Sequence, residues 1–284
     1  MQIMHGYRDY KDHRDSFNVL AGKVFGLNFE AWYQNGFWKD NYDPYSVIED
    51  GKVVSNISVN RCDMNYKGEV VHLVQLGTVM TDPDYRRRGY AGLLMERVLK
   101  DNEDADGIYL YGNDLASDFY LRSGFTESKE YRFSKDVKID SERSAQAVPM
   151  SNKNDWDKMA DILSSTKQNA DMYMVNNTGL YMFYLSQFMQ ENTFYIPDLD
   201  TYAIAEIEEG TLILHAVIGT GDIDKVISSF GKEIKHVKLG FTPKDTTGFT
   251  KSEVVEEDCH FFVNGKFFEE NRDAAFMFQS ITHA

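Results

Sequence analysis

This sequence predicts a mixed α/β (α+β) fold, a mostly antiparallel sheet repeated in degenerate form in a second domain. Three observations lead there. Asp50-Gly51 and Lys67-Gly68 each sit between runs rich in β-branched residues, the signature of tight hairpins. Residues 72–112 read as strand, arginine-rich loop, helix and strand, a βαβ crossover that demands one parallel pair. In the second half, "TYAIAEIEEGTLILHAVIG", "DIDKVISSFG" and "HVKLGF" repeat the order hairpin, helix, strand, as a diverged tandem unit would.

Taken in order, "HRDSFNVLAGKVFG" and "FEAWYQNGFWK" space their apolar residues as two helices. "YSVIEDGKVVSNISV" and "EVVHLVQLGTVMT" supply three antiparallel strands. Ala91, Leu94, Met95, Val98 and Leu99 form one helical stripe, closed by "DNEDADG". "IYLYG" is the next strand, pairing in parallel with residues near 72–80, and "DLASDFYLRSG" and "FTESKEYRF" follow as a short helix and a final strand. The polar stretch 134–153 separates a domain of residues 1–137 from one of residues 138–284. Beyond it, "DWDKMADILSS" and "GLYMFYLSQFMQ" read as helices. "IGTGDIDK" places Asp222 as a helix N-cap after a glycine turn; it lacks the arginine of a phosphate loop.

The net charge of -15 is shared unequally, -5 over residues 1–137 and -10 over residues 138–284. Neither half carries the broad basic face that phosphate neutralisation requires, so nucleic-acid binding is not expected. An acidic surface instead attracts cationic partners such as amines, or simply keeps the chain soluble. Cys62 and Cys259 lie far apart in unlike contexts and read as buried, reduced thiols. No apolar run approaches a membrane span and the N-terminus has no signal-like core, so a cytoplasmic protein without membrane contact is expected. The seven histidines show no ligand spacing, so no metal is expected. The oligomeric state stays open.

Positive charge is concentrated only at Arg86, Arg87 and Arg88. A loop entering a helix exposes unpaired amides at the positive end of the helix dipole, and Gly89 lets a ligand approach the backbone. Those residue types suit a diphosphate; an exposed basic turn that neutralises nearby acids is the alternative reading.

"DPDYRRRGYA" resembles the acyl-CoA signature of the GNAT N-acetyltransferases, with Arg86, Gly89 and Ala91 at its defining positions, and "NDLASDFYLRSGF" resembles that family's second signature through Asn113, Ala116, Tyr120, Gly124 and Phe125. The resemblance implies the GNAT fold, acetyl-CoA as cosubstrate without a metal, and transfer to an amine. It places coenzyme A along the backbone of Val79, Met80 and Thr81, its pyrophosphate over the loop from Arg86 through Arg87, Arg88, Gly89, Tyr90 and Ala91 to Gly92, and Asn113 near the pantetheine arm. Tyr120 falls where many members carry the acid that protonates the departing thiolate. Gln75 stands where some members carry a basic carboxylate, and His72, three residues before it, should face the other side of the strand. The general base is therefore unassigned. The tandem organisation and "LGTVMTDPDYRRRG" are similar to the Eis-type amine acetyltransferases, which add a sterol-carrier-like third domain that this chain is expected to lack. That likeness makes the Ala284 carboxylate a candidate base or amine anchor.

The aromatic cluster Phe25, Phe29, Trp32, Tyr33, Phe37, Trp38, Tyr42 and Tyr45 lies where such proteins build the acceptor wall, with core packing as the competing role and Glu30 as a partner for an ammonium group. The function expected is acetyl transfer from acetyl-CoA to a primary amine of a small or cationic acceptor by direct attack. A non-catalytic acyl-CoA sensor of the same fold is the rival.

Overall fold

The computed structural model describes residues 1–283. In chain order its strands and helices are β1 (Gln2–Met4), α1 (Lys11–Phe25), α2 (Glu30–Gln34), β2 (Tyr42–Glu49), β3 (Lys52–Tyr66), β4 (Glu69–Thr81), α3 (Tyr90–Asp101), β5 (Gly107–Gly112), α4 (Asp114–Arg122), β6 (Thr126–Ser128), β7 (Tyr131–Asp136), β8 (Gln146–Ala147), α5 (Lys153–Ser165), β9 (Met172–Val175), α6 (Thr178–Gln187), β10 (Thr193–Ile196), β11 (Thr201–Glu208), β12 (Thr211–Ile218), α7 (Ile223–Ser228), β13 (His236–Leu239), β14 (Thr250–Glu253), β15 (His260–Asn264) and α8 (Lys266–Glu270). One sheet runs β1-β2-β3-β4-β5-β15-β6, with β9 added to β3; the other runs β14-β7-β13-β12-β11-β10-β8.

Three hairpins turn on residue pairs that both take positive φ, Asp50-Gly51, Lys67-Gly68 and Glu209-Gly210. That backbone twist matches the twist of the strands it joins. Each sheet then contains one parallel pair bridged by a helix, β4 with β5 across α3 and β12 with β13 across α7. Both sheets also carry a bulge just past that pair. In the first, Gly77 faces Ser58 and Met80 faces Asn56, so Thr78 and Val79 together oppose Ile57. In the second, Ala205 faces Leu214 and Ile204 faces Ala216, which leaves His215 as the extra residue. The two sheets are thus consistent with a tandem GNAT-like arrangement.

The halves also exchange strands. β15, from the end of the chain, pairs with β5, while β7, from before residue 137, pairs with β13. The expected final strand, residues 125–133, is accordingly corrected to two short strands in different sheets. The chain leaves the first sheet after Ser128 and enters the second at Tyr131, pinned by Val254 N–H to Glu130 O (2.9 Å) and Tyr131 N–H to Phe276 O (2.9 Å). The parallel pairing of β4 is also shorter than expected, covering only Leu73–Leu76 against Gly107–Leu110. The second predicted helix shrinks to Glu30–Gln34 because the following residues turn back, Phe37 and Trp38 both donating to Trp32 O.

Three cores follow from these layers. α3 and α4 cover one face of the first sheet with Leu94, Met95, Val98 and Tyr120. α1, α2, α5 and α6 cover the other, where Trp32, Trp38, Tyr42, Tyr109 and Phe278 interlock. The second sheet packs Leu212, Leu214, Val237 and Leu239 against Val226 and Ile227 of α7. Most of the aromatic cluster is therefore core, although Phe25 is exposed and Tyr33 half-buried. Glu30 is held by Arg14 at 2.8 Å rather than left to meet a ligand. Both cysteines are free; Cys62 is buried, but Cys259 is half-buried, a correction to the expected burial. Among the described residues no helix is long and apolar enough to cross a membrane.

Candidate active site

The bulge in β4 creates a notch. Thr78 takes a left-handed backbone (φ 41°), and β4 continues to Thr81 after its pairing with β5 has stopped at Leu76. The edge from Gly77 to Thr81 that faces β5 consequently pairs with no strand among the described residues, leaving strand backbone groups for a ligand to extend. Buried side chains hold this shape. Asn56 donates to Thr78 O (3.0 Å), Thr78 Oγ1 donates to Ser58 Oγ (2.6 Å), and the Tyr42 hydroxyl meets Thr78 Oγ1 at 2.7 Å. Val79, Met80 and Thr81 all lie on this edge.

Below the notch, Gly89 caps α3 with φ 80° and has no side chain to offer. Tyr90, Ala91 and Gly92 are the helix's first residues, so their amides have no carbonyl one turn back within it. A Cβ placed on Gly89 or Gly92 would meet nothing within 4 Å, so the backbone here is open to a ligand. Arg86, Arg87 and Arg88 are exposed around it. Arg86 Nε donates to Thr81 O (3.4 Å), and Arg88 lies over the Tyr85 ring (4.6 Å) while reaching Glu49 (3.4 Å). Tyr90 also donates to Glu49. Open amides, a helix dipole and arginines fit a diphosphate.

α7 shows the contrast. Its cap, Asp222, accepts from Lys225 N–H (3.0 Å), so a carboxylate already satisfies the helix start and would repel a phosphate. The notch of the second sheet is also filled. Ser280 N–H donates to Gly240 O (2.8 Å), and a Cβ on Gly240 would lie 2.2 Å from Ser280 Oγ.

Asn113 caps α4, its side chain accepting from Ala116 N–H (3.1 Å) at the end of β5. About two helical turns later Tyr120 returns to that strand end. It is 3 % exposed and packs so closely that a Cβ on Gly112 would lie 2.4 Å from its Cε2. Its hydroxyl has no hydrogen-bond partner among the described residues, and burial pushes its proton affinity up to about 12. The phenol therefore holds its proton at neutral pH and is free to give it to a stronger nearby base. Gln75 is buried and takes a hydrogen bond from Asn60 (3.4 Å), whereas His72 is exposed and bonds Asp63 (2.7 Å). Ala284 lies outside the described residues.

Across β5 from Tyr120 lies a cavity of about 710 Å³ between the two sheets. Tyr111, the neighbour of Gly112, lines it together with Glu130, Arg132, Ser280 and His283. The His283 ring stacks on Tyr111 at 4.0 Å, and burial lowers its affinity for a proton to about 4. Glu130 is 4 % exposed. One oxygen accepts Phe278 N–H (2.7 Å), and desolvation raises its carboxyl to about 7. The Tyr111 hydroxyl lies beside that carboxyl and partly offsets the desolvation, outside hydrogen-bond geometry. Sequence reading singled out none of these as site residues, because they come from three distant segments and no motif joins them. The one available signal was an acidic residue, Glu130, five residues after the second GNAT-like signature.

Among the described residues no group of three or more His, Cys, Asp or Glu could hold a metal ion.

Residues 8–127 match the family model described as acetyltransferase (GNAT) domain. No curated protein sequence matches the chain. Among solved structures, a conserved protein of unknown function and probable N-acyltransferase from Enterococcus faecalis V583 superposes with a TM-score of 0.60 at 15% identity, over 92% of this chain and 71% of that one. A GCN5-related N-acetyltransferase from Kribbella flavida (TM-score 0.56, 15% identity, 92% and 70%) and Eis1 from Mycobacterium abscessus (0.55, 13%, 92% and 73%) are also similar. At these identities the likeness speaks for the fold.

Proposed function

We propose that this chain, an acyltransferase carrying a GNAT acetyltransferase domain over residues 8–127, moves an acetyl group from acetyl-CoA to a primary amine of a small or cationic acceptor by direct attack. The observation that carries the reading is the end of β5. Tyr120 rests on one face of Gly112, the 710 Å³ cavity opens at Tyr111 on the other, and the unpaired edge of β4 lies alongside.

In this proposal the domain of residues 1–137 holds the donor. Val79, Met80 and Thr81 extend the pantetheine as an added strand would, Asn113 flanks it, and the backbone from Arg86 to Gly92 receives the pyrophosphate. An unpaired amide on the β4 edge stabilises the oxyanion as it forms, and Tyr120 protonates the thiolate, help that arrives only as charge develops on sulfur. The region 138–284 shapes the acceptor side. Among the cavity's acids, Glu127, Glu253 and Glu256 are each paired with a cation, His260, Lys129 and Arg132, which leaves Glu130 as the acid facing a positively charged amine. The Ala284 carboxylate enters the proposal as an amine anchor, on the Eis-type resemblance alone.

The test is free-thiol release from acetyl-CoA against a panel running from simple monoamines to polyamines and aminoglycosides. Release that depends on the amine is expected. Acetyl-CoA binding without release across the panel would overturn the transfer reading in favour of a sensor.

A further inference from the structure

We propose that Ser280, His215 and Glu206 form a proton relay that deprotonates the acceptor's ammonium group in the cavity between the two sheets. The inference rests on the amine-acetylation reading above and supplies the base which that reading leaves unassigned. His215 is the bulged residue of β12, so its ring leaves the regular ladder and turns toward the C-terminal segment. There Nδ1 lies 2.7 Å from Ser280 Oγ, while Nε2 lies 3.3 Å from Glu206 Oε2. With the imidazole protonated on Nε2, Ser280 donates to Nδ1 and Nε2–H donates to the carboxylate. This is the arrangement by which a neutral histidine draws a proton off a hydroxyl. Ser280 also lines the cavity that reaches Tyr111 and the end of β5. The relay and Tyr120 thus approach the same strand end from opposite faces.

The surroundings suit the task. Burial keeps His215 below the ordinary imidazole range, so it is neutral and able to accept. Glu206 on β11 opposes that shift, Arg132 on β7 adds to it, and His283 is the other titrating ring nearby. Glu130 is the remaining buried carboxyl of the cavity. Neither residue at the corresponding part of the first sheet does this work: Gln75 is an amide, and Thr78 is committed to Ser58 and Tyr42.

The step balances as follows. The ammonium passes one proton to Ser280 Oγ as the Ser280 proton moves to His215 Nδ1, giving an imidazolium paired with Glu206. The neutral amine forms the C–N bond, and the C–S bond breaks with its electron pair on sulfur. Tyr120 protonates that sulfur, the second N–H proton restores the phenol, and His215 releases its proton to solvent.

The experiment compares the intact protein with His215→Gln, and with Glu206→Gln, which alters only a partly exposed side chain. Thiol release from acetyl-CoA is followed against pH with two nearly isosteric probes, ethylamine and trifluoroethylamine. The first arrives protonated at neutral pH and the second does not. His215→Gln should lower kcat/KM for ethylamine by about 100-fold, remove the acidic limb of its pH profile, and leave trifluoroethylamine close to wild type. Glu206→Gln should do the same to a smaller extent. Equal losses for both amines would mean a structural role, and no loss for either would mean that the proton goes elsewhere; each overturns the relay and leaves acetyl transfer standing. If the wild type binds acetyl-CoA but releases no thiol with either probe or with the wider amine panel, the transfer reading fails and the relay falls with it.

Discussion

Replacing Tyr120 by Phe should move activity and stability in opposite directions. The hydroxyl sits in a side chain only 3 % exposed, and no donor or acceptor among the described residues meets it. A buried polar group left without a partner costs about 1–3 kcal/mol. The ring itself, packed on Gly112, Phe125 and Phe262, is unchanged in Phe. Removing the oxygen should therefore stabilise the fold by about 1 kcal/mol, the lower end of that range because the hydroxyl is not fully sealed. In a chain of this size that is a rise in Tm of about 2–4 °C. The same oxygen is the proposed acid, whose loss should cost about 10²- to 10⁴-fold in kcat. Since the phenol keeps its proton up to about 12, the wild-type pH profile should show no limb from it at ordinary pH. Thermal unfolding and thiol release on the same preparations decide the matter. A fall in Tm together with kcat would show that the hydroxyl is structural, and an unchanged kcat would remove Tyr120 from the chemistry.

Three further outcomes are expected. Gly89→Glu forces a left-handed backbone, about 1–2 kcal/mol, without a clash, and aims a carboxylate at the proposed pyrophosphate position. KM for acetyl-CoA should rise by more than about tenfold while saturating kcat changes little, and an unchanged KM would relocate the donor. Gly112→Ala would bring a Cβ to 2.4 Å from Tyr120 Cε2, so stability should fall by about 1–3 kcal/mol. Its kcat should fall too, and loss of one without the other would contradict the placement of that ring. For Glu130 the folded carboxyl keeps its proton to about 7, whereas the unfolded one releases it near the ordinary glutamate value of 4.5. The stability it contributes is intact below 4.5 and lost as pH rises through 7. Glu130→Gln should match the wild type near about pH 5 and exceed it by about 2–3 kcal/mol near about pH 8. Denaturation midpoints whose difference does not widen with pH would disprove the burial argument.

Much of the fold was legible because its signals are local. Two residues choose a hairpin of inward twist, as at Asp50-Gly51, Lys67-Gly68 and Glu209-Gly210, and all three form where expected. The stripe of Leu94, Met95 and Val98 buries itself as a helix must, and Asp222 caps α7 from its own sequence position. The donor side of the candidate site belongs to the same class, since Arg86, Gly89, Ala91 and Tyr120 stand within one βαβα run.

The acceptor side does not. β15 and β7 were beyond sequence reading because a strand's neighbour depends on which edge is free once the sheets have packed, and each of these joins the other half's crossover strand. The bulges at Thr78 and His215 likewise depend on partners across the ladder, which residue order does not record. By itself the sequence determined the hairpins, the crossover, the anion-suited loop and the family likeness, all of them settled by backbone preference and spacing over short stretches. Only the tertiary structure decided that Tyr111, Glu130 and Ser280 line one cavity behind Tyr120, with His215 hydrogen-bonded to Ser280. That meeting is governed by burial and strand exchange between segments more than a hundred residues apart.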